Sequence, residues 1–272
     1  MKRNHKFLLR WMVFVMAVLG MVNVGFSHEP VFGLGPHTIY QYGYAVGSEF
    51  EKGELGWGHH LEVIYGLTPD WAVTVVVPYQ FANDQRPSGL GDLVFRTKYR
   101  FFRHDFHGAS LQAALHAGVK WPTGDVEKRL GRGNRSGFVG ASFGFESRRQ
   151  YFFAGARVHI NGSYRGLNQG EAFRFNLAYG IRPWKLQYHQ PDPVFLLELN
   201  GNVLARDELN GQPLVNSGGQ VLSLGPGLLF SYRNVMLKVG IGFPVLNNLN
   251  GDQESPQNEY VLALEMHMPP LK

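Results

Sequence analysis

The sequence predicts an all-β chain, an antiparallel up-and-down transmembrane β-barrel of about 12 strands with short periplasmic turns and longer extracellular loops. Three observations carry that expectation. Apolar and polar residues alternate with a period of two through most of residues 36–268, as in strands whose two faces meet different media. The connections between these segments alternate short and long. In residues 91–102, Arg96, Lys98 and Arg100 share one face with Asp92, Val94 and Phe102, while Leu93, Phe95, Thr97, Tyr99 and Phe101 share the other. On a lipid face each Lys or Arg costs roughly 2–4 kcal/mol near the midplane, so three would cost about 10. The basic face therefore belongs to an aqueous lumen and the aromatic face to lipid.

The segments follow in order. Residues 36–47 place Tyr40, Tyr42, Tyr44 and Val46 on one side, and residues 58–66 place Leu61, Val63 and Tyr65 opposite His60, Glu62 and Ile64. Thr68-Pro69-Asp70 reads as a tight turn, with Pro at its favoured second position. Trp71, Val73, Val75, Val77, Tyr79 and Phe81 line the third strand, and residues 91–102 are the fourth. The fifth to eighth fall near residues 110–121, 137–146, 152–160 and 173–181. The ninth to twelfth fall near 195–200, 222–230, 235–243 and 259–268. Of the connections expected to be short, residues 182–193 are long. Tyr and Trp gather at strand ends, among them Tyr40, Trp57, Tyr65, Trp71, Tyr79, Trp121 and Tyr179, as in an interfacial aromatic girdle. A soluble β-sandwich also alternates, but its buried face does not explain that girdle.

Residues 1–27 read as a secretory signal: Lys2, Arg3, Lys6 and Arg10 precede an apolar run that ends in Gly25-Phe26-Ser27. Of the formal net charge of +5, these four residues carry four, leaving +1 for the rest. That removes the basis for a nucleic-acid partner. Absence of cysteine excludes disulfides and thiolate chemistry. Past the leader, nothing approaches the ~18 consecutive apolar residues of a spanning helix. The expected organisation is a signal peptide (1–27), an irregular segment and candidate lumen plug (28–35), the barrel (36–268) and a short tail (269–272).

Four patches then carry a family resemblance. They are Tyr65-Gly66-Leu67-Thr68-Pro69-Asp70-Trp71, Val77-Pro78-Tyr79, Gly89-Leu90-Gly91-Asp92 and Pro122-Thr123-Gly124-Asp125. With the start His28-Glu29-Pro30-Val31-Phe32-Gly33-Leu34-Gly35-Pro36-His37, they resemble outer-membrane β-barrel transporters associated with the meta-pathway of phenol degradation. The resemblance implies an outer-membrane pore or transporter of a Gram-negative bacterium, with no catalytic site. Many such barrels end in an aromatic residue, whereas this chain ends Met268-Pro269-Pro270-Leu271-Lys272.

The alternation turns Arg96, Lys98, Arg100, Lys120, Arg157, Arg174 and Lys238 inward, together with His60, His116, His159, His267, Glu62, Glu198 and Glu265. Bases exceed acids in this set, so passive diffusion through such a lumen favours anionic solutes, with aromatic solutes a second class. The competing reading is a barrel whose inward charges pair and conduct nothing. A free His28 amine and imidazole, with Glu29 and His37 nearby, form a candidate Cu(II) or Zn(II) site and support a metal-linked alternative. No cofactor and no enzyme activity are expected: Ser142 and Ser223 fall on faces shared with glycines, with no histidine on a clear lipid-facing partner. The loop at residues 122–136, with Lys128, Arg129, Arg132 and Arg135, could meet lipopolysaccharide phosphates. The expected partners are outer-membrane lipid, lipopolysaccharide and small-molecule solutes.

Overall fold

The structure, a computed structural model, describes residues 29–53, 56–184 and 190–268. Among these, 12 long strands form the barrel wall: β1 (Tyr44–Gly53), β2 (Gly56–Thr68), β3 (Trp71–Gln80), β4 (Leu93–Phe106), β5 (Ala109–Trp121), β6 (Ser136–Ser147), β7 (Gln150–Asn161), β8 (Ala172–Ile181), β9 (Asp192–Leu204), β10 (Gly219–Tyr232), β11 (Val235–Leu249) and β12 (Glu259–Met268). Each pairs antiparallel with its sequence neighbours, and β12 pairs with β1 from Tyr44↔Met268 to Lys52↔Tyr260. The sheet is therefore closed and leaves no long edge to be satisfied by water, the condition for strands in hydrocarbon. No described helix is long and apolar enough to cross a membrane.

Closure sorts the side chains as the period of two requires. Large apolar residues such as Leu61, Val63, Phe95, Tyr99, Leu115, Val139, Leu177 and Leu197 are exposed on the outside, an area that in water would be an unusually large apolar surface. The polar partners in the alternation face inward. At the long-loop end, two short hairpins, Ser163–Tyr164 with Leu167–Asn168 and Glu208–Leu209 with Gln212–Pro213, pair with each other. There Arg165 bonds Glu127 (2.8 Å) and Arg132 bonds Gln169 (3.0 Å), which joins neighbouring loops into a rim. Lys128 bonds Asp125 at 3.0 Å and holds that carboxyl below its ordinary pKa.

Two local expectations change. The first strand does not begin at residue 36 but at Tyr44, and it runs on through residues expected to be loop. Tyr42 has a φ of 61°, and the turn is fixed by Gly43 N–H to Tyr40 O and Tyr42 N–H to Gly66 O; a left-handed residue ends the extended run there. A Cβ on Gly66 would lie 2.1 Å from the Tyr40 carbonyl oxygen, so the crossing needs a glycine at that point. In β4 a bulge falls between Arg100 and Phe102. The extra residue turns Phe102 outward beside Phe101, so Phe102 leaves the basic face on which the alternation had placed it. The long connection after β8 does lie at the short-turn end. Arg182 there donates from its backbone to Arg149 O (2.8 Å) and from its guanidinium to Tyr151 and Asp192.

Candidate functional site in the lumen

The N-terminal segment runs inside the barrel before entering β1. The fully buried Glu198 carboxylate on β9 accepts the backbone N–H groups of Val31 (2.6 Å) and Phe32 (3.0 Å). A buried carboxylate is costly unless compensated, and two charge-assisted bonds supply that compensation. Lys98 on β4 donates to Glu29 and to the His37 carbonyl (2.8 Å). His37 Nε2 lies 3.1 Å from Glu146 on β6, and its ring meets Phe153 of β7 edge-on. Thr38 donates to Pro69 O at 2.8 Å in the β2–β3 turn. Five parts of the wall thus hold one strap of chain. The Gly240 position on β11 leaves room for it, since a Cβ there would stand 2.7 Å from the Phe32 ring.

Below the strap, toward the short turns, the lumen is filled by an apolar cluster and by buried polar groups that include Arg100, Gln112 and Asp192. Val31 packs with Tyr151, Phe153, Ala178, Val194, Leu196, Leu229 and Met236 into a buried cluster, with Phe32 and Val261 against it. Above it, toward the long loops, lies a polar cavity of about 500 Å³. Strap residues from Glu29 to Leu34 are part of its wall. The described lumen is therefore two-layered, a packed layer with the apolar cluster as its seal below a charged chamber.

Of the residues expected to line the lumen, Arg96, Lys98, His116, Arg157, His159, Arg174, Lys238 and Glu265 contribute to the cavity wall. Arg100, Lys120 and Glu198 do not. Arg100 is buried in the β2–β3 turn, donating to Asp70 Oδ1 (2.8 and 2.7 Å), Gln112 (2.9 Å) and Pro69 O (3.0 Å). Lys120 stands 3.9 Å from Asp92 near the rim, and Glu198 carries the strap.

The expected excess of bases is also corrected. Glu29, Glu49, Glu51, Glu62, Glu259 and Glu265 line the cavity against Lys52, Arg96, Lys98, Arg157, Arg174 and Lys238, six acids to six bases. Glu49 and Glu51 were missed because they lie in residues read as loop when the first strand was placed eight residues too early. Glu29 enters from the strap, and Glu259 from the start of β12.

These charges are sorted by wall. Five of the acids sit on the adjacent strands β12, β1 and β2, where Glu49, Glu51 and His60 bring their ligand atoms within 4.8 Å of one another. His60 lies between the two carboxylates, Nδ1 3.7 Å from Glu49 and Nε2 3.4 Å from Glu51. Four of the six bases, Arg96, Lys98, Arg157 and Arg174, sit on β4, β7 and β8, while Lys52 on β1 and Lys238 on β11 stand on the acidic side. Arg96 reaches Glu62 at 2.5 Å. Arg157 and Arg174 stand directly opposite each other across the β7–β8 ladder.

Of the candidate metal site, the described residues show only Glu29 and His37. His28 lies outside the described residues, while Glu29 is bonded to Lys98 and His37 to Glu146. Ser142 faces the lumen, where its hydroxyl meets His116 Nε2 at 2.6 Å. The surrounding charges are Lys98, Arg157 and Arg96, with no carboxylate placed to orient the imidazole as a catalytic triad requires.

Three of the four patches read as family marks meet at the long-loop end. Asp92 accepts the backbone N–H groups of Gly124 and Arg132, both at 3.0 Å. Thr123 Oγ1 donates to Gly91 O at 3.1 Å and accepts from Leu93 N–H at 3.0 Å. Gly91 N–H donates to Pro78 O at 2.8 Å. The family described as "Putative MetA-pathway of phenol degradation" matches residues 63–248. The chain belongs to that family. Its fold is similar to the COG4313 outer membrane channel from Pseudomonas putida F1, at 10% identity and a TM-score of 0.67 over 89% of this chain and 100% of the other. It is also similar to the NanC porin, at 10% identity and a TM-score of 0.52 over 82% and 98%. No curated protein matches the sequence. The family member described here thus has the barrel fold of outer-membrane channels.

Proposed function

We propose that the protein is a passive outer-membrane channel for small hydrophilic solutes, exported with removal of residues 1–27 and embedded with its apolar belt in outer-membrane lipid. The observation that carries this reading is a charged chamber of about 500 Å³ inside a closed barrel whose outside is apolar. A barrel serving only as a structural wall has no use for six acids and six bases on a water-filled face. Phe32, Phe138, Phe175 and Tyr260 give the same chamber aromatic surface, which suits solutes with a planar ring. Anion preference now rests on the β7–β8 side alone, opposed by the acids of β12, β1 and β2. The basic side chains of residues 122–135 are assigned to lipopolysaccharide phosphates at the rim.

The test is single-channel recording of the refolded chain in planar bilayers. Discrete steps are expected, with small unit current because the strap and apolar seal occupy the short-turn half. Their reversal potential in a salt gradient should lie near zero. Absence of steps above the lipid background at any voltage overturns the channel reading, and strong cation preference overturns the anion contribution.

A further inference from the structure

We infer that the chamber selects solutes carrying both an anionic and a cationic group, small zwitterions, held with the anion on Arg157 and Arg174 and the cation on Glu49 and Glu51. This rests on the channel reading. The argument begins from two like-charge placements that a folded sheet ordinarily avoids. Arg157 and Arg174 face each other directly on one side of a ladder, an arrangement that costs stability unless something neutral or opposite intervenes. Among the described residues Arg157 makes no hydrogen bond or ion pair, and its charged neighbours are Arg174 and Arg96. His159, next to them on the chamber wall, has a buried Nε2 with no hydrogen-bond partner among the described residues. Arg157 and the His159 ring are therefore left facing the chamber, with Arg174 beside them.

The opposite placement is the mirror of this one. Glu49 and Glu51 are successive lumen-facing residues of one strand, with a single imidazole between two carboxylates. Five strands lie between β1 and β7 in either direction around the closed sheet of 12, so the two clusters face each other across the chamber. Arg174 is close enough to interact electrostatically with Glu51. Lys52 on β1 and Lys238 on β11 offset part of the acidic wall, which keeps an excess of carboxylates, while the charged neighbours of Arg157 on the basic wall are Arg174 and Arg96. A field therefore runs across the pore, and low-dielectric walls concentrate it. An ion of either sign gains at one wall and loses at the other. A zwitterion aligned with the field gains at both.

The test compares γ-aminobutyrate with its uncharged isostere 4-hydroxybutyramide in proteoliposomes of the full mature chain, with arabinose uptake as the reference for pore area. The zwitterion is expected to enter several-fold faster than the isostere. The ratio should fall toward one in Glu49→Gln/Glu51→Gln and in Arg157→Gln/Arg174→Gln. The same pairs should move the reversal potential in opposite directions, toward anions for the first and toward cations for the second, which general loss of structure would not do. Equal rates for the two isosteres in the unaltered protein overturn the inference, as does a ratio that survives both double substitutions. If neither isostere nor arabinose enters faster than into protein-free vesicles, it is the channel reading that fails.

Discussion

Glu198 joins one residue to the state of the whole lumen. Its two oxygens each hold a backbone N–H of the strap, and such bonds to a charged acceptor are worth roughly 1.5–3 kcal/mol each. Glutamine in its place keeps one acceptor and turns an amide donor toward a donor. Glu198→Gln is therefore expected to loosen residues 29–37 and raise single-channel conductance several-fold. Conductance identical to that of the unaltered protein would show that the strap does not limit flow. This role was invisible to alternation, which placed Glu198 on the inner face but could not show that a backbone segment, rather than a solute, would occupy it. The same holds for Arg100, which faces inward yet is used to fasten Pro69 and Asp70.

At the scale of elements, the sheet was largely legible because each strand declares its own two faces. The errors came where the backbone leaves the regular strand. Residues 36–43 alternate well enough to imitate a strand, but Tyr42 in a left-handed turn breaks it, and the hydrogen bonds of the segment go to Gly66 and Tyr40 instead of a ladder. The bulge in β4 reversed Phe102 for the same kind of reason, an inserted residue that a strict count of two cannot register. Three of the four family patches prove to be one structural joint, since Asp92 and Thr123 tie the β3–β4 connection to the loop after β5. Asp92→Asn replaces a carboxylate that accepts two N–H groups, at a cost of about 1–3 kcal/mol. Trypsin is expected to cut the folded variant faster at Lys128, Arg129 and Arg132 than the unaltered chain. Equal cleavage rates would mean that the joint does not hold the loop.

For the molecule as a whole, the membrane fixes what each wall position tolerates. Leu115, exposed near the middle of β5 and flanked by outward Tyr99 and Ala141, faces the hydrocarbon. Leu115→Arg should reduce the free energy of folding into vesicles by roughly 2–4 kcal/mol, read from urea titration. Thr74→Arg, on the lumen side of β3, should cost less and instead shift ion preference. Equal costs at the two sites would mean that inside and outside have been assigned wrongly. The sorting of acids and bases onto opposite walls also belongs to this scale, because it exists only once β12 has closed onto β1.

The sequence by itself determined that the chain is a barrel of 12 strands, which face of each strand meets lipid, and that charge lies inside. Those are local properties: a period of two, and the high cost of Arg or Lys in hydrocarbon, can be read along a single strand. Only the tertiary structure decided that Glu49 and Glu51 oppose Arg157 and Arg174, that Ser142 meets His116, that Glu146 takes His37, and that the strap crosses the lumen on Glu198. Each of these pairs residues that are far apart in the chain. Alternation assigns a side chain to a face, and closure of the sheet then determines what stands across from it.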